Sequence, residues 1–169
     1  KLGKLVRMFA FNLKGKRSDV NKSLNVLENV NSPYEILSKE TENGKHIVER
    51  YEKLNKEYQR LLDDAKREAT KSDLLLFVYP SARISFTGEL STELSYLYKK
   101  KTIIIAREKN GGYRMSIRNQ SRDIRSVLVK ALEGINGYGG GHEKACGGFV
   151  KTKDFEIFIE NMREHLKQK

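Results

Sequence analysis

The sequence has little of several residue types that define particular classes of protein. It contains one cysteine, two prolines and no tryptophan among 169 residues. A single cysteine excludes an internal disulfide framework and a zinc site built from several cysteines, and it is typical of a protein in a reducing cytosol. No apolar run approaches the roughly 18 residues that a membrane span requires. We therefore expect a cytoplasmic protein without a membrane segment.

An initiator methionine is also lacking, since the sequence starts with KLGKLVRMFAF. This start is basic and then apolar, like a signal peptide. However, Arg7 and Asn12 interrupt the apolar stretch, and no small-residue cleavage site follows. We expect the chain to begin inside a longer protein.

Positive charge is the most prominent property that is present. The chain has 33 Lys and Arg against 22 Asp and Glu, a formal net charge of +11. Such an excess favours a polyanionic partner, with nucleic acid as the leading candidate. A lysine-rich surface adapted to heat, which binds nothing in particular, explains the charge equally well. Charge alone leaves both interpretations open.

The first 71 residues are predicted to be helical. A short amphipathic helix, capped by Ser18 or Asp19, is indicated by apolar residues four and three positions apart: Val20, Leu24, Leu27 and Val30. The same spacing then extends over nearly three heptads, through Ile47, Tyr51, Leu54, Tyr58, Leu61 and Ala65. This second pattern predicts one long helix. It either connects two domains and lays its stripe on neighbouring helices, or it forms a coiled-coil dimer.

From residue 72 onward, strand and helix signals alternate, so we place a domain boundary there. DLLLFVYP at residues 73–80 predicts a buried strand, and residues 82–90 predict a second strand or a strand-to-helix turn. A helix capped at Ser91 or Thr92 follows, and Lys109-Asn110-Gly111-Gly112 predicts a hairpin turn. Two further helices complete an α/β (α+β) domain, residues 72–169, with one small mixed β-sheet flanked by helices.

Glycine is concentrated in GYGGGHEKACGG, residues 137–148. The stretch matches neither a dinucleotide-binding fingerprint nor a Walker A loop. Gly139, Gly140 and Gly141 are able to form a nest of backbone N–H groups for an anion, with His142 as a donor at its mouth and a helix starting in EKACGGF. The alternative is a flexible connection in which Gly137 caps the preceding helix. Cys146 is expected to be a packing residue and not a nucleophile.

Basic residues alternate along the strand YRMSIRN, residues 113–119. Arg114, Ser116 and Arg118 fall on one face, and guanidinium groups bind phosphate through two hydrogen bonds. Arg122 and Arg125 on the following helix are expected to extend this surface. The alternative is a solvated strand face. His46, His142 and His165 are isolated from clustered carboxylates, so we expect no two-metal centre in this chain.

Together, the SIRN strand, the capped helix and GYGGGHEKACGGF resemble the C-terminal DHH-associated domain of the DHH phosphoesterase superfamily, as found in RecJ-like single-strand exonucleases and oligoribonucleases. That family has a Ser-x-Arg-Ser strand, a helix and the pattern GGGH-x-x-A-A-G. The residues that match are Ser116, Arg118, Gly139, Gly140, Gly141, His142, Ala145 and Gly147. Asn119 replaces the usual serine and Cys146 the second alanine. LVRMFAFNLKGKRSDVNKSLNVLEN resembles the helical segment that leaves the catalytic domain, and the long helix resembles its interdomain connector.

The resemblance implies a parent protein that cleaves single-stranded DNA or short RNA with two Mn²⁺ or Mg²⁺ ions, held by an N-terminal catalytic domain that is not in this chain. It also implies replication or repair partners. This chain would hold no cofactor itself, and it would grip substrate phosphates. We assign that role to Ser116, Arg118, Gly139, Gly140, Gly141 and His142, and we add Arg114 and Lys144.

Two other functions stay open at this point. One is an RNA-binding module like the C-terminal domain of alanyl-tRNA synthetase, which shares this fold but usually lacks the histidine and the two-alanine pattern. The other is a structural domain that dimerises through the long helix and whose basic surface is incidental.

Overall fold

A computed structural model describes residues 2–81 and 84–167 of the chain. The described residues fall into two compact units, one of residues 2–61 with 84–85 and one of residues 62–81 with 86–167. None of the helices within these ranges is long and apolar enough to cross a membrane. The domain boundary predicted at residue 72 stays a prediction, because two compact units defined by their internal contacts do not test where a domain begins.

The first unit is built from helices, as predicted. Its elements are α1 (Leu2–Asn12), α2 (Arg17–Glu28), α3 (Pro33–Ser38) and most of α4 (Glu42–Arg67). The predicted side-chain cap of α2 is wrong, because the helix already begins at Arg17 and Lys16 before it makes no capping hydrogen bond.

The long helix α4 buries the predicted stripe. Every position of the stripe is buried: Ile47, Tyr51, Leu54, Tyr58, Leu61 and Ala65. Phe11 of α1 packs on it, with its ring centroid 5.8 Å from that of Tyr51 and 5.3 Å from that of Tyr58. The stripe therefore contacts a helix of the same chain, which is the intramolecular alternative, and a dimer would need another surface.

Helix α2 does not bury the predicted apolar face. Leu24 is 41% exposed, whereas Ser23 is fully buried. The reason is a buried polar group that needs partners: Ser23 Oγ donates to Asn12 Oδ1 at 3.2 Å, and Asn12 Nδ2 donates to the carbonyls of Met8 and Ile47 at 2.9 and 3.0 Å. A buried amide that lost these partners would cost about 1–3 kcal/mol, which is comparable to the gain from burying one leucine. The polar contact thus decides which side of α2 faces inward.

The second unit is a five-stranded sheet with helices on both faces, which confirms the predicted fold class. Strands β1 and β2 pair in parallel, and all other neighbouring pairs are antiparallel, in the order β1-β2-β3-β5-β4. The elements in chain order are β1 (Leu74–Tyr79), α5 (Thr87–Leu97), β2 (Thr102–Glu108), β3 (Gly112–Arg118), α6 (Ile124–Ala131), β4 (Gly137–His142), β5 (Ala145–Lys151), a short 3₁₀ turn (Thr152–Asp154) and α7 (Phe155–Lys167).

The β2–β3 hairpin has the predicted turn. Asn110 and Gly111 both adopt left-handed backbone conformations, with φ of 54° and 71°. The Lys109 N–H donates to the Gly112 carbonyl at 2.8 Å and closes the turn. Two positive φ values in sequence are the signature of a type I′ turn, whose twist matches that of the strands.

Helix α5 begins earlier than predicted. The Tyr79 hydroxyl at the end of β1 lies 2.9 Å from Thr87 Oγ1 and accepts the Phe86 N–H at 3.1 Å, which fixes the start of the helix at Thr87 and not at Ser91 or Thr92. Leu97, the last residue of this helix, is 55% exposed. Of the segment 82–90, residues 82 and 83 lie outside the described residues, and Ile84–Phe86 is not a strand.

The two faces of the sheet carry different helices. Helices α6 and α7 pack on one face with a continuous apolar core, which includes Ile104, Met115, Ile117, Ile124, Leu128, Cys146, Val150, Phe158 and Met162. Helix α5 packs on the opposite face, over β2 and β3. As a result, β4 and β5 are covered by helices on one side.

Strand β4 lies with its backbone directly on α6. A Cβ atom on Gly139 would come 3.1 Å from Leu128 Cδ2 of α6 and 3.0 Å from the Gly147 carbonyl oxygen. At Gly140, which points to the other side of the sheet, a Cβ atom would meet nothing within 4 Å. Two consecutive glycines of the same strand therefore have opposite steric environments.

We expect Gly139→Ala to lower the free energy of unfolding by about 1–3 kcal/mol, because the added methyl group forces β4 away from α6. Gly140→Ala is the matched control and should change it by less than about 0.5 kcal/mol. Urea unfolding followed by circular dichroism measures both. Equal midpoints for the two variants would contradict the packing described for β4.

Candidate nucleic-acid interface

The side of β3, β5 and β4 that faces away from α6 and α7 forms one surface, here called the open face. Residues opposite each other in antiparallel strands lie on the same side of a sheet, so the register places its side chains in three rows. The rows are Arg118, Ala145 and His142; then Ser116, Gly147 and Gly140; then Arg114, Phe149 and Tyr138.

The open face is accessible on β4 and on most of β5. Residues 138–144 are all exposed, as is Gly147. Helix α5, which lies on this side of the sheet, contacts β2 and β3. The surface therefore begins beside α5 and ends at the outer strand of the sheet, β4.

The first row presents two hydrogen-bond donors. Arg118 and His142 occupy the strands on either side of Ala145, so their backbones are about 10 Å apart. Arg118 Nη1 donates to the carbonyls of Ile117 at 3.2 Å and Cys146 at 3.4 Å, which holds the half-buried guanidinium against the sheet. The small side chain of Ala145 leaves the space between the two donors open.

The second row is almost free of side chains. A Cβ atom on Gly140 would meet nothing within 4 Å, and one on Gly147 would only reach ordinary contact with the Met115 carbonyl oxygen, at 3.7 Å. Within the part of the chain that the structure describes, no close contact of a Cβ atom explains either glycine. Beside them, Ser116 is buried under α5, with its Oγ 2.8 Å from Ser91 Oγ. We call Gly140 and Gly147 the glycine floor.

The third row combines aromatic and basic groups. The ring centroids of Tyr138 and Phe149 are 5.7 Å apart. Arg114 Cζ lies 6.0 Å from the Phe149 centroid, and Lys151 Nζ lies 5.8 Å from it. Both cations are within the range in which an aromatic ring attracts positive charge.

The turn between β4 and β5 fixes the position of His142. Lys144 Nζ donates to the Gln120 carbonyl at 2.7 Å, and the Glu143 carbonyl accepts the Ile124 N–H at 2.7 Å. These two hydrogen bonds hold the turn against the start of α6. Lys144, assigned to phosphate from the sequence, uses its amino group in this contact.

The predicted nest of backbone N–H groups is wrong, and so is the helix start in EKACGGF. Gly139 and Gly140 are extended residues of β4, and of the three consecutive glycines only Gly141 has a left-handed φ, at 149°. Residues 145–151 form β5. The physical reason is that β4 needs glycine to lie against α6 while it pairs with β5 along its whole length.

Arg122 does not extend the open face. Its Nη1 donates to the Leu166 carbonyl at the end of α7, on the opposite side of the sheet. Asn119, at the end of β3, is buried, and its Oδ1 accepts the N–H groups of Ser121 and Arg122 at 2.8 and 2.9 Å. Both residues shape the connection to α6.

Cys146 is a packing residue, as predicted. It is buried in the core under α6 and α7, and its Sγ donates to the His142 carbonyl at 3.2 Å. Burial raises the pKa of the thiol, which keeps it protonated. Within residues 2–81 and 84–167, no three His, Cys, Asp or Glu side chains are arranged to hold a metal ion.

Sequence reasoning missed the third row of the open face beyond Arg114. Tyr138, Phe149 and Lys151 were not assigned, because the glycine stretch was interpreted as a loop and the chain after it as a helix start. If the stretch is taken as two paired strands, the two-residue alternation Tyr138, Gly140, His142 is the signal that identifies this side.

Comparison with known proteins identifies the sheet domain. A family model described as the DHHA1 domain matches residues 85–168. RecJ from Thermus thermophilus in complex with Mg²⁺ superposes with a TM-score of 0.64 at 14% identity, over 90% of this chain and 23% of RecJ. The pGpG-specific phosphodiesterase PggH from Vibrio cholerae gives 0.53 at 13% identity, over 72% of this chain and 42% of PggH. At these identities the structures share a fold, and the chain spans less than half of either relative.

The C-Ala domain of Aquifex aeolicus alanyl-tRNA synthetase matches at 21% identity over 55% of this chain and 89% of that domain, but its TM-score of 0.48 is too low to support an argument. No curated protein matches the sequence. The residues matched by the family model include strands β2 to β5, with the GGGH strand among them. The chain therefore belongs to the DHH superfamily and carries its C-terminal domain, the DHHA1 domain.

Proposed function

We propose that the chain binds the phosphate backbone of single-stranded DNA or short RNA on its open face, as the substrate-holding part of a DHH phosphodiesterase. The observation that carries the proposal is the glycine floor. Gly140 and Gly147 lie beside the Arg118 and His142 row, and no contact with the described residues requires them to be glycine. A floor without side chains lets a bulky chain approach the sheet closely.

The chemistry of the first row suits phosphate. A guanidinium group is always charged and donates several hydrogen bonds, and an imidazole N–H adds another donor. Hydrogen bonds from a cation to an anionic oxygen are about twice as strong as those between neutral groups. The formal net charge of +11 adds a long-range attraction for polyanions.

Catalysis would then belong to a separate N-terminal domain of the parent protein. The RecJ structures are described as complexes with Mn²⁺ and with Mg²⁺. The described residues of this chain offer no donor set for such ions, so we assign the metals to the catalytic domain and derive no step through them here. The DHHA1 domain would hold the strand while that domain cleaves it, and replication or repair proteins would be further partners.

We expect Arg118→Ala and His142→Ala each to weaken binding of a fluorescein-labelled single-stranded oligonucleotide, by about tenfold for the arginine. Fluorescence anisotropy at several salt concentrations measures this. Loss of one phosphate contact also reduces the slope of log affinity against log salt by about 0.7. Arg163→Ala, which removes an exposed charge from α7 across the sheet, is the control. Wild-type affinity and slope in both site variants would refute the proposed contacts.

Gly140→Val tests the floor directly. A Cβ atom at this position meets nothing within 4 Å, so the unfolding midpoint should stay unchanged. Oligonucleotide affinity should fall by about tenfold, because the isopropyl group occupies the position proposed for the nucleic-acid backbone. Gly140→Ala should give a smaller loss. A valine variant that binds like the wild type would exclude Gly140 from the site.

The purified chain should not cleave a labelled oligonucleotide in the presence of Mn²⁺ or Mg²⁺, because the catalytic groups lie outside it. The parent protein with its upstream sequence should cleave the same substrate under the same conditions. Gel electrophoresis of the products distinguishes the two. Metal-dependent cleavage by the chain alone would contradict this division of roles.

A further inference from the structure

The third row of the open face has an aromatic ring, that of Phe149, at its centre. A Cβ atom on Gly112 would lie 2.5 Å from Phe149 Cζ and 2.8 Å from Cε2. The ring of Phe149 therefore lies over the backbone of β3, in space that only a glycine at position 112 leaves free. Arg114 Cζ on β3 and Lys151 Nζ on β5 lie 6.0 and 5.8 Å from the ring centroid.

Tyr138 continues this surface outward. It pairs with Phe149 across β4 and β5, with the two rings inclined by 32°, and it is 61% exposed. An aromatic side chain that is largely exposed on an outer strand lacks the stabilisation that burial of its apolar surface would give. The exposed ring is therefore a surface that a flat ligand is able to cover.

The neighbouring rows indicate which ligand fits. Successive same-side residues on a strand are about 7 Å apart, so the aromatic row lies about 7 Å from the glycine floor and about 13 Å from Arg118 and His142. A phosphate site next to an aromatic surface, with two cations beside the ring, combines the two parts of a nucleotide. Proteins that bind single strands use the same combination of positive charge and aromatic stacking.

We infer that Tyr138, backed by Phe149, forms a stacking platform for one unpaired nucleobase of the strand whose phosphates lie on the glycine floor; this inference rests on the proposed function. Stacking uses the π-face that all bases share, so it selects for an unpaired base and not for a sequence. A base inside a duplex is already stacked and paired, and exposing it costs free energy. The platform thus gives the site its preference for single strands.

The test compares two ligands on the same protein: a short single-stranded oligonucleotide and an abasic strand with the same number of phosphates. The wild type should bind the abasic strand about tenfold more weakly. Tyr138→Ala should weaken binding of the intact strand to the level of the abasic one, and it should leave the abasic strand unchanged. Tyr138→Phe should retain wild-type discrimination. Tyr96→Ala, which removes a tyrosine of equal exposure (62%) from α5, is the control.

The two proposals fail in different ways. Arg118→Ala should weaken both ligands equally, and if it weakens neither, the proposed phosphate function is wrong. If Arg118→Ala weakens both but the wild type binds intact and abasic strands alike, the platform is wrong and the phosphate site stands. A Tyr138→Ala effect no larger than that of Tyr96→Ala would also overturn the platform.

Discussion

The contact between the backbone of β4 and the Leu128 side chain of α6 is the constraint on which the candidate site depends. It brings the outermost strand onto the helix layer, so that a Cβ atom at Gly139 would lie only 3.1 Å from Leu128 Cδ2. Because α6 supports the sheet from that side, the opposite side of β4 needs no cover to stay in place. The open face is thus a consequence of the packing beneath it, and its residues are available for a ligand.

This arrangement divides the glycines of one short strand into two kinds. Gly139 is favoured by the fold, since a Cβ atom there would lie within 3.0–3.1 Å of the Gly147 carbonyl oxygen and Leu128 Cδ2. Gly140 and Gly147 are not, and an alanine or serine at either position would be compatible with the sheet. Residues that the fold does not require, next to charged groups on an accessible face, are where binding function is expected in a protein. Gly112 is of the first kind, because a Cβ atom there would lie 2.5 Å from both the Val150 carbonyl oxygen and Phe149 Cζ.

The sequence predicted those parts of the structure in which apolar side chains mark a period. The stripe of α4 follows directly from such a pattern, and the β2–β3 hairpin follows from its Asn-Gly turn. It did not predict β4, because a strand made largely of glycine has no alternation of apolar and polar side chains and resembles a loop. The side of α2 that faces inward was also missed, because it depends on a hydrogen bond from Ser23 to Asn12, a residue outside the apolar pattern of α2. Of the site, Arg118 and His142 were identified individually, whereas their alignment in one row came from the strand register.

The hydrogen bonds that hold the β4–β5 turn against the start of α6 restrict which turns of this domain are able to vary in length. Glu143 and Lys144 are the only residues between the two strands, and both form hydrogen bonds with the segment from Gln120 to Ile124 at the start of α6. Lengthening this turn by even one residue would break those bonds and shift His142 relative to Arg118. Most surface connections tolerate insertions, and the β2–β3 turn, with its open Gly111, is such a place. Among related domains, we expect length differences at the β2–β3 turn and a constant length at the β4–β5 turn.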